Sequence, residues 1–259
     1  MRYHLELFLL ALSFYTRIPV PAWLPWSSER MLACGRYLPL VGWVVALACT
    51  AVFWVCSGFF SPFLSVLSAM AAGICVTGCF HEDGWADSCD SLGGWTREQK
   101  LTIMKDSRLG TYGVTGLFFM LALKAAVLIE LAGSEDGRMM TMIALCVAHP
   151  LSRLSPLLLI QTLPYVSDEK TAKSVVMVNQ RQGAAAMLIA VICACLPLLL
   201  LPAVCMAGCV LLAWALATLL AFRHFKHKLG GYTGDNLGAT QQLAELAIYF
   251  GIMMTWNFT

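Results

Sequence analysis

Residues 61–80 read SPFLSVLSAMAAGICVTGCF, and residues 81–90 follow without a break as HEDGWADSCD. The first segment carries no charged residue. The second holds Glu82, Asp83, Asp87, Asp90 and His81. About twenty apolar helical residues cross the roughly 30 Å hydrocarbon core of a bilayer. Carboxylates are costly inside that core, so the chain leaves it near His81. The stretch therefore reads as a membrane span that delivers an acidic segment to one membrane face.

The rest of the chain agrees. It has 259 residues, of which 59% are hydrophobic and only 12% charged, against about 25% charged in soluble domains. Besides Ser61–Phe80, candidate spans cover Tyr37–Phe60, Thr111–Leu131, Met139–Leu163, Ala184–Leu201, Val204–Phe222 and Leu237–Trp256. The expected fold is all-α: a polytopic helical bundle of about seven spans, in one integral membrane domain over residues 1–259. The first apolar run, Leu5–Tyr15, is short and lacks a small-residue cleavage pattern after it. It reads as an interfacial N-terminal helix leading into the turn Arg17-Ile18-Pro19-Val20-Pro21. The 11 cysteines form no CxxC pair and lie mostly in apolar runs, which fits small packing residues better than a disulfide or zinc framework.

A net charge of +2 gives no case for nucleic-acid binding. The sign of the loops is more informative. Four segments carry Arg2, Arg17, Arg30 and Arg36; Arg97, Lys100, Lys105 and Arg108; Lys170, Lys173 and Arg181; and Arg223, Lys226 and Lys228. They alternate with short segments that hold only Arg138, while Lys124 and Arg153 fall inside spans. The positive-inside rule puts the N-terminus and the four basic segments in the cytoplasm. The acidic cluster and a glycine-rich segment, Leu229–Gly238, share that face. Lys124 and Glu130 read as snorkelling residues near the outer end of their span.

Asp83, Asp87 and Asp90 are spaced i, i+4, i+7 and share one helical face. Stacked carboxylates repel unless neutralised, and a divalent cation with oxygen ligands does this; magnesium takes one or two carboxylates plus substrate phosphates. Glu82 points away from that face and stays outside the ligand set. His81 is open between general base, metal ligand, phosphate partner and simple helix capping. In Lys105-Asp106-Ser107-Arg108-Leu109-Gly110, a lysine and an arginine able to grip phosphate flank a further acid. In Gly230-Gly231-Tyr232-Thr233-Gly234-Asp235 the glycines let backbone approach a ligand. Gly231 and Thr233 are candidates for phosphate contact, with Lys228 just before them. Asp235 is either a further metal ligand or a helix N-cap. Glu245, an acid inside a span, and Arg153, near His149-Pro150, are functional candidates by their cost in lipid. Carboxylates for a cation, basic residues for phosphate and glycine turns on one face point to metal-assisted phosphoryl or nucleotidyl transfer.

Four separated motifs carry a resemblance. They are Phe14-Tyr15-Thr16-Arg17-Ile18-Pro19-Val20-Pro21, then HEDGWADSCD, then IMKDSRLGTYG at residues 103–113, and GGYTGDNLGA at residues 230–239. In this combination and order the chain resembles the cobalamin synthase (adenosylcobinamide-GDP ribazoletransferase) family over nearly its whole length. The resemblance implies a membrane enzyme in which α-ribazole, or its 5′-phosphate, attacks adenosylcobinamide-GDP. The product is adenosylcobalamin or its 5′-phosphate, and GMP leaves. Magnesium is the implied cofactor, the bilayer of the inner membrane the implied location, and nucleic acid plays no part. A homo-oligomer or an assembly with other cobamide-assembly enzymes is left open. On this reading Asp83, Asp87, Asp90, Asp235 and Glu245 would serve magnesium. Lys105, Arg108, Arg153, Lys228, Gly231 and Thr233 would serve phosphate, and Asp83, His81, Asp106 or Asp235 the proton chemistry. The chain departs from the family pattern at Gln242, where an acid is often found, and at Trp85 and Glu82. The segment 164–183, with Tyr165, Asp168, Glu169 and Lys170, is expected to cover the site or bind nucleotide.

Two rivals remain. A CDP-alcohol phosphotransferase would carry an arginine directly after the alanine, where this chain has Asp87 after Ala86, and two later aspartates four apart, which are absent. An ion-coupled transporter would place its charges at mid-span in paired broken helices, whereas these motifs gather at a membrane face.

Overall fold

The computed structural model describes residues 2–167 and 181–256. Asp168, Glu169 and Lys170 lie outside the described residues. Twelve α-helices are described: α1 (Arg2–Tyr15), α2 (Ser28–Cys34), α3 (Leu38–Cys56), α4 (Pro62–Thr77), α5 (Phe80–Asp90), α6 (Arg97–Met104), α7 (Thr111–Gly133), α8 (Gly137–Ser152), α9 (Leu154–Thr162), α10 (Ala184–Cys195), α11 (Val204–Leu229) and α12 (Gly234–Trp256). The one β-type pairing among the described residues is a single bridge between Tyr165 and Tyr232.

The protein is an all-α polytopic membrane bundle. Four helical stretches are long and apolar enough to cross a bilayer: Ser28–Cys56, Thr111–Gly133, Gly137–Thr162 and Val204–Leu229. The bent pair α4 and α5 makes a fifth if counted as one span. Two of the expected seven are different in kind. Ala184–Leu200 is shorter, its last turns tightening into a 3₁₀ helix at Leu196–Leu200. α12 has the length, at 23 residues, but carries Asn236, Thr240, Gln241, Gln242 and Glu245, all buried. It is a core helix whose polar groups are satisfied by its neighbours rather than by lipid or water.

α12 runs down the middle of the bundle against α11, α5, α8, α7 and α9. Gly251 sits against the backbone of α11 at Val210 and Cys209, the close approach that small residues permit in membrane packing. Hydroxyls and indoles tie other pairs: Trp214 Nε1 donates to Ser155 Oγ at 2.8 Å, and Trp43 Nε1 to the Cys193 carbonyl at 2.8 Å. α1 packs beside α2 and α3. Its Leu7, Leu10 and Ala11 are buried, and Glu6 is held by Arg2 at 2.9 Å and Arg30 at 2.6 Å.

The feature that positions the site is the bend between α4 and α5. Gly78 (φ +65°) and Cys79 (φ +61°) are both left-handed, a conformation costly for a residue with a side chain and easy for glycine. They turn the chain by 90°. The Arg17 side chain lies against Gly78, and Arg17 N donates to the Val76 carbonyl at 2.8 Å. The acidic helix thus leaves the direction of its span and lies across the end of the bundle.

Candidate active site

α5 meets the first turn of α12 almost backbone to backbone. A side chain on Gly84 would come within 2.6 Å of the Asp235 carbonyl oxygen, and one on Gly238 within 3.1 Å of the His81 carbonyl. The start of α12 is fixed by a reciprocal cap. Thr233 N donates to Asn236 Oδ1 at 3.0 Å, and Asn236 N to Thr233 Oγ1 at 3.4 Å. Asn236 Nδ2 reaches across to Ser88 Oγ at 3.1 Å. Thr233, rather than Asp235, is therefore the N-cap, and Asp235 is left in the first turn beside α5. Gly231 is packed against the Pro164 carbonyl, where Tyr232 N donates to Pro164 O at 3.0 Å. Its lack of a side chain serves this backbone pairing.

The aspartates divide. Asp83 and Asp87 line a groove of about 290 Å³ together with Cys79, Glu82, Ser107 and Leu109. Burial, reinforced by Asp235, Asp83 and Asp90, pushes the Asp87 carboxyl up to about 7. Burial, with Asp83 adding to it, pushes Asp235 up to about 6. Like charges drawn this close hold protons. Asp90 is turned elsewhere: its two oxygens accept the amides of Gly110 at 2.8 Å and Gly113 at 2.7 Å. It secures the beginning of α7 by satisfying donors that a helix start leaves open.

Among the described residues no three His, Cys, Asp or Glu side chains stand in ready-made metal-binding geometry. The Asp83, Asp87 and Asp235 face nevertheless suits a hard divalent cation. Two of its carboxyls, Asp87 and Asp235, are pushed up by burial and by their acidic neighbours, and magnesium needs only one or two carboxylates when phosphate oxygens complete its shell.

The loop before α7 holds Asp106 and Arg108 as a bidentate pair, with Nε to Oδ1 at 3.0 Å and Nη2 to Oδ2 at 2.7 Å. That hydrogen-bonded guanidinium takes the half-exposed Asp106 carboxyl down to about 2. Lys105 and Arg108 are exposed beside this groove's loop. Lys228 lies on the other side of α5, bordering a mostly apolar groove with Trp85, Leu92, Leu220 and Leu243.

Glu245 and Arg153 are brought together, away from the aspartates, in a buried polar cluster. Glu245 Oε1 accepts from Lys124 Nζ at 2.9 Å, and Oε2 from Gln241 Nε2 at 2.6 Å; His149 Nδ1 is 3.4 Å from Oε2. Arg153, 2% exposed, donates to the His149 carbonyl at 2.9 Å. Lys124 corrects its sequence reading. It does not snorkel but is 3% exposed and shared between Glu245 and Gln242 Oε1, the latter at 2.7 Å. Polar partners on α12 offered a closer and drier solution than the membrane surface. Glu130, by contrast, is exposed as expected. Gln242 completes the chain by donating to Glu82 Oε1 at 3.1 Å.

Glu82 is thus a residue that sequence spacing set aside, yet it borders both the Asp83–Asp87 groove and the buried cluster. His81 is 3% exposed and lines two cavities, the buried one with Glu82, Arg153 and Glu245 and another with Asp235. A cavity shared by Phe14, Tyr15 and Asp235 has no signal in spacing along the chain, although each of these residues sits in one of the quoted motifs.

Fold and site together define a polytopic helical membrane protein in which the acidic helix α5 meets the start of α12. The chain belongs to the cobalamin-5-phosphate synthase family, whose sequence model matches residues 7–253. It is 41% identical over 254 residues to an adenosylcobinamide-GDP ribazoletransferase of Shewanella baltica, covering 98% of this chain and 95% of that protein. It is 47% identical over 252 residues to one of Leptothrix cholodnii, covering 95% of this chain and 94% of the relative. No solved structure matches.

Proposed function

We propose that the protein transfers the adenosylcobinamide-phosphate group of adenosylcobinamide-GDP to α-ribazole or its 5′-phosphate and releases GMP. Similarity along nearly the full length of relatives bearing that name supports the reaction. The observation that carries the site is the meeting of Asp83 and Asp87 on α5 with Asp235 on α12 at a crossing closed by Gly84 and Gly238.

In the reaction a ribose hydroxyl oxygen forms a bond to the cobinamide-linked phosphorus, and the bridging phosphorus–oxygen bond to GMP breaks. Asp83 and Asp87 would hold magnesium, which supplies charge neutralisation for the pyrophosphate and its leaving group. Lys105 and Arg108 receive phosphate oxygens at the mouth of the Asp83–Asp87 groove. Arg108 exchanges Asp106 for phosphate, a second bidentate acceptor of the same geometry. Asp235 takes the hydroxyl proton. A carboxyl at about 6 is matched to that task near neutral pH, whereas Asp106 at about 2 is too weak a base. Asp90 and Glu245 have no part in this scheme, since backbone amides and Lys124 already occupy them.

The positive-inside asymmetry supports placing this face on the cytoplasmic side of the inner membrane. The transporter alternative gains nothing from the buried charges. They pair with one another around an enclosed space of about 30 Å³, room for a water or two.

The test is turnover in proteoliposomes. Adenosylcobinamide-GDP with α-ribazole 5′-phosphate is expected to give GMP and a cobalamin product in equal amounts. Turnover of CDP-alcohol substrates in their place would refute the reading.

A further inference from the structure

We propose that the cavity enclosed by α1, α5, α9 and the first turn of α12 recognises the heteroaromatic base of the acceptor nucleoside. The inference rests on the transfer reaction above and adds where the acceptor sits. The cavity measures about 160 Å³ and is lined by Phe14, Tyr15, Phe80, His81, Ile160 and Asp235, among others. That is the scale of a fused bicyclic ring, far below that of a corrin.

One wall is aromatic and the rest is largely aliphatic. Phe80 stands edge-to-face with both Phe14 and Tyr15, each at 5.6 Å between ring centroids. Such faces stack a planar base whatever its substituents. One of its polar members is unsatisfied. His81 is almost fully buried, and neither ring nitrogen has a hydrogen-bond partner. An unpaired buried nitrogen carries the full cost of its lost hydration, and such groups call for a missing partner. His81 borders two cavities. The enclosed one beside Arg153 and Glu82, each with an unpartnered atom of its own, suits water. The aromatic one suits a ring nitrogen of a base.

The mouth fixes the direction of entry. Gly234 is exposed there, with open space around the position its side chain would take, and Asp235 stands next to it. A base seated against these rings leaves its ribose at this mouth, with a hydroxyl beside Asp235. The Asp83–Asp87 groove stays free for the donor's phosphates. Guanine shares the chemistry of a planar base, but the position of Asp235 assigns the cavity to the acceptor.

The test is equilibrium binding of α-ribazole and, separately, of GMP to the full-length protein in lipid nanodiscs without magnesium. The variants are Gly234→Leu, which fills the mouth at no backbone cost, and Phe80→Ala, which shortens a partly exposed ring. Each is expected to raise the Kd for α-ribazole about tenfold and leave GMP binding unchanged. His81→Phe should act the same way, with His81→Asn restoring part of the affinity. Unchanged α-ribazole binding in Gly234→Leu and Phe80→Ala overturns the assignment, and so does loss of GMP binding in its place. The transfer reading fails by a different sign, wild-type protein that binds α-ribazole yet releases no GMP from adenosylcobinamide-GDP.

Discussion

Asp90 takes two backbone amides at the start of α7, so Asp90→Ala is expected to act on stability first. The cost is that of a lost helix cap, about 1–2 kcal/mol, read as a lower thermal midpoint in detergent. With magnesium present, Asp83→Asn and Asp87→Asn should leave that midpoint close to wild type and lower GMP release by roughly a hundredfold or more. The raised carboxyls give a pH signature. Folding lifts Asp87 and Asp235 from 3.8 to about 7 and about 6, so the folded state binds protons that the unfolded state has lost. Their contribution favours the folded state at low pH and is lost as pH rises through that window. In EDTA the midpoint of wild type should fall relative to Asp87→Asn between about pH 4 and 7. Magnesium should restore it at the upper end. Parallel profiles for the two proteins would contradict the crowding of these carboxylates.

At the scale of elements, the α5–α12 crossing depends on a missing side chain. Gly84→Val would drive two methyl groups towards the Asp235 backbone, where even a Cβ comes within 2.6 Å. Neither helix can yield, so the crossing must open. Activity should be lost while secondary structure, measured by circular dichroism, stays largely helical. The helices themselves were legible in the sequence, because apolar length and loop charge are local signals. The acidic α5 was legible as a helix with Asp83 and Asp87 on one face. What spacing could not give was the partner of each face. Asp90 follows the same periodicity, yet open amides at Gly110 and Gly113 claim it. Lys124 looked like a residue reaching for the membrane surface because Gln242 and Glu245 are remote in sequence and only folding brings them to it. Glu82 faces away from the aspartates by its spacing, and that is the direction in which Gln242 lies. The count of spans rests on apolarity, which does not settle α12, whose polar residues are bonded inside the bundle.

Across the whole molecule, a buried charged cluster joins α7, α8 and α12 beneath the acidic face. Breaking it from one side leaves an uncompensated charge in a dry interior. Lys124→Met should therefore cost about 3–5 kcal/mol, and the double change with Glu245→Gln should recover much of it. Denaturation in mixed micelles checks this, and equal losses in the single and double variants would count against a direct pair. The central claim is that residues from two distant parts of the chain form one transfer site. GMP release by wild type, Asp83→Asn, Asp235→Asn and the double variant, at saturating magnesium, tests it most directly. Groups that act as a unit are strongly non-additive, so the double variant is expected to be no slower than the worse single one. Losses that simply multiply would mean that Asp83 and Asp235 act independently, and the site described here would not exist as one.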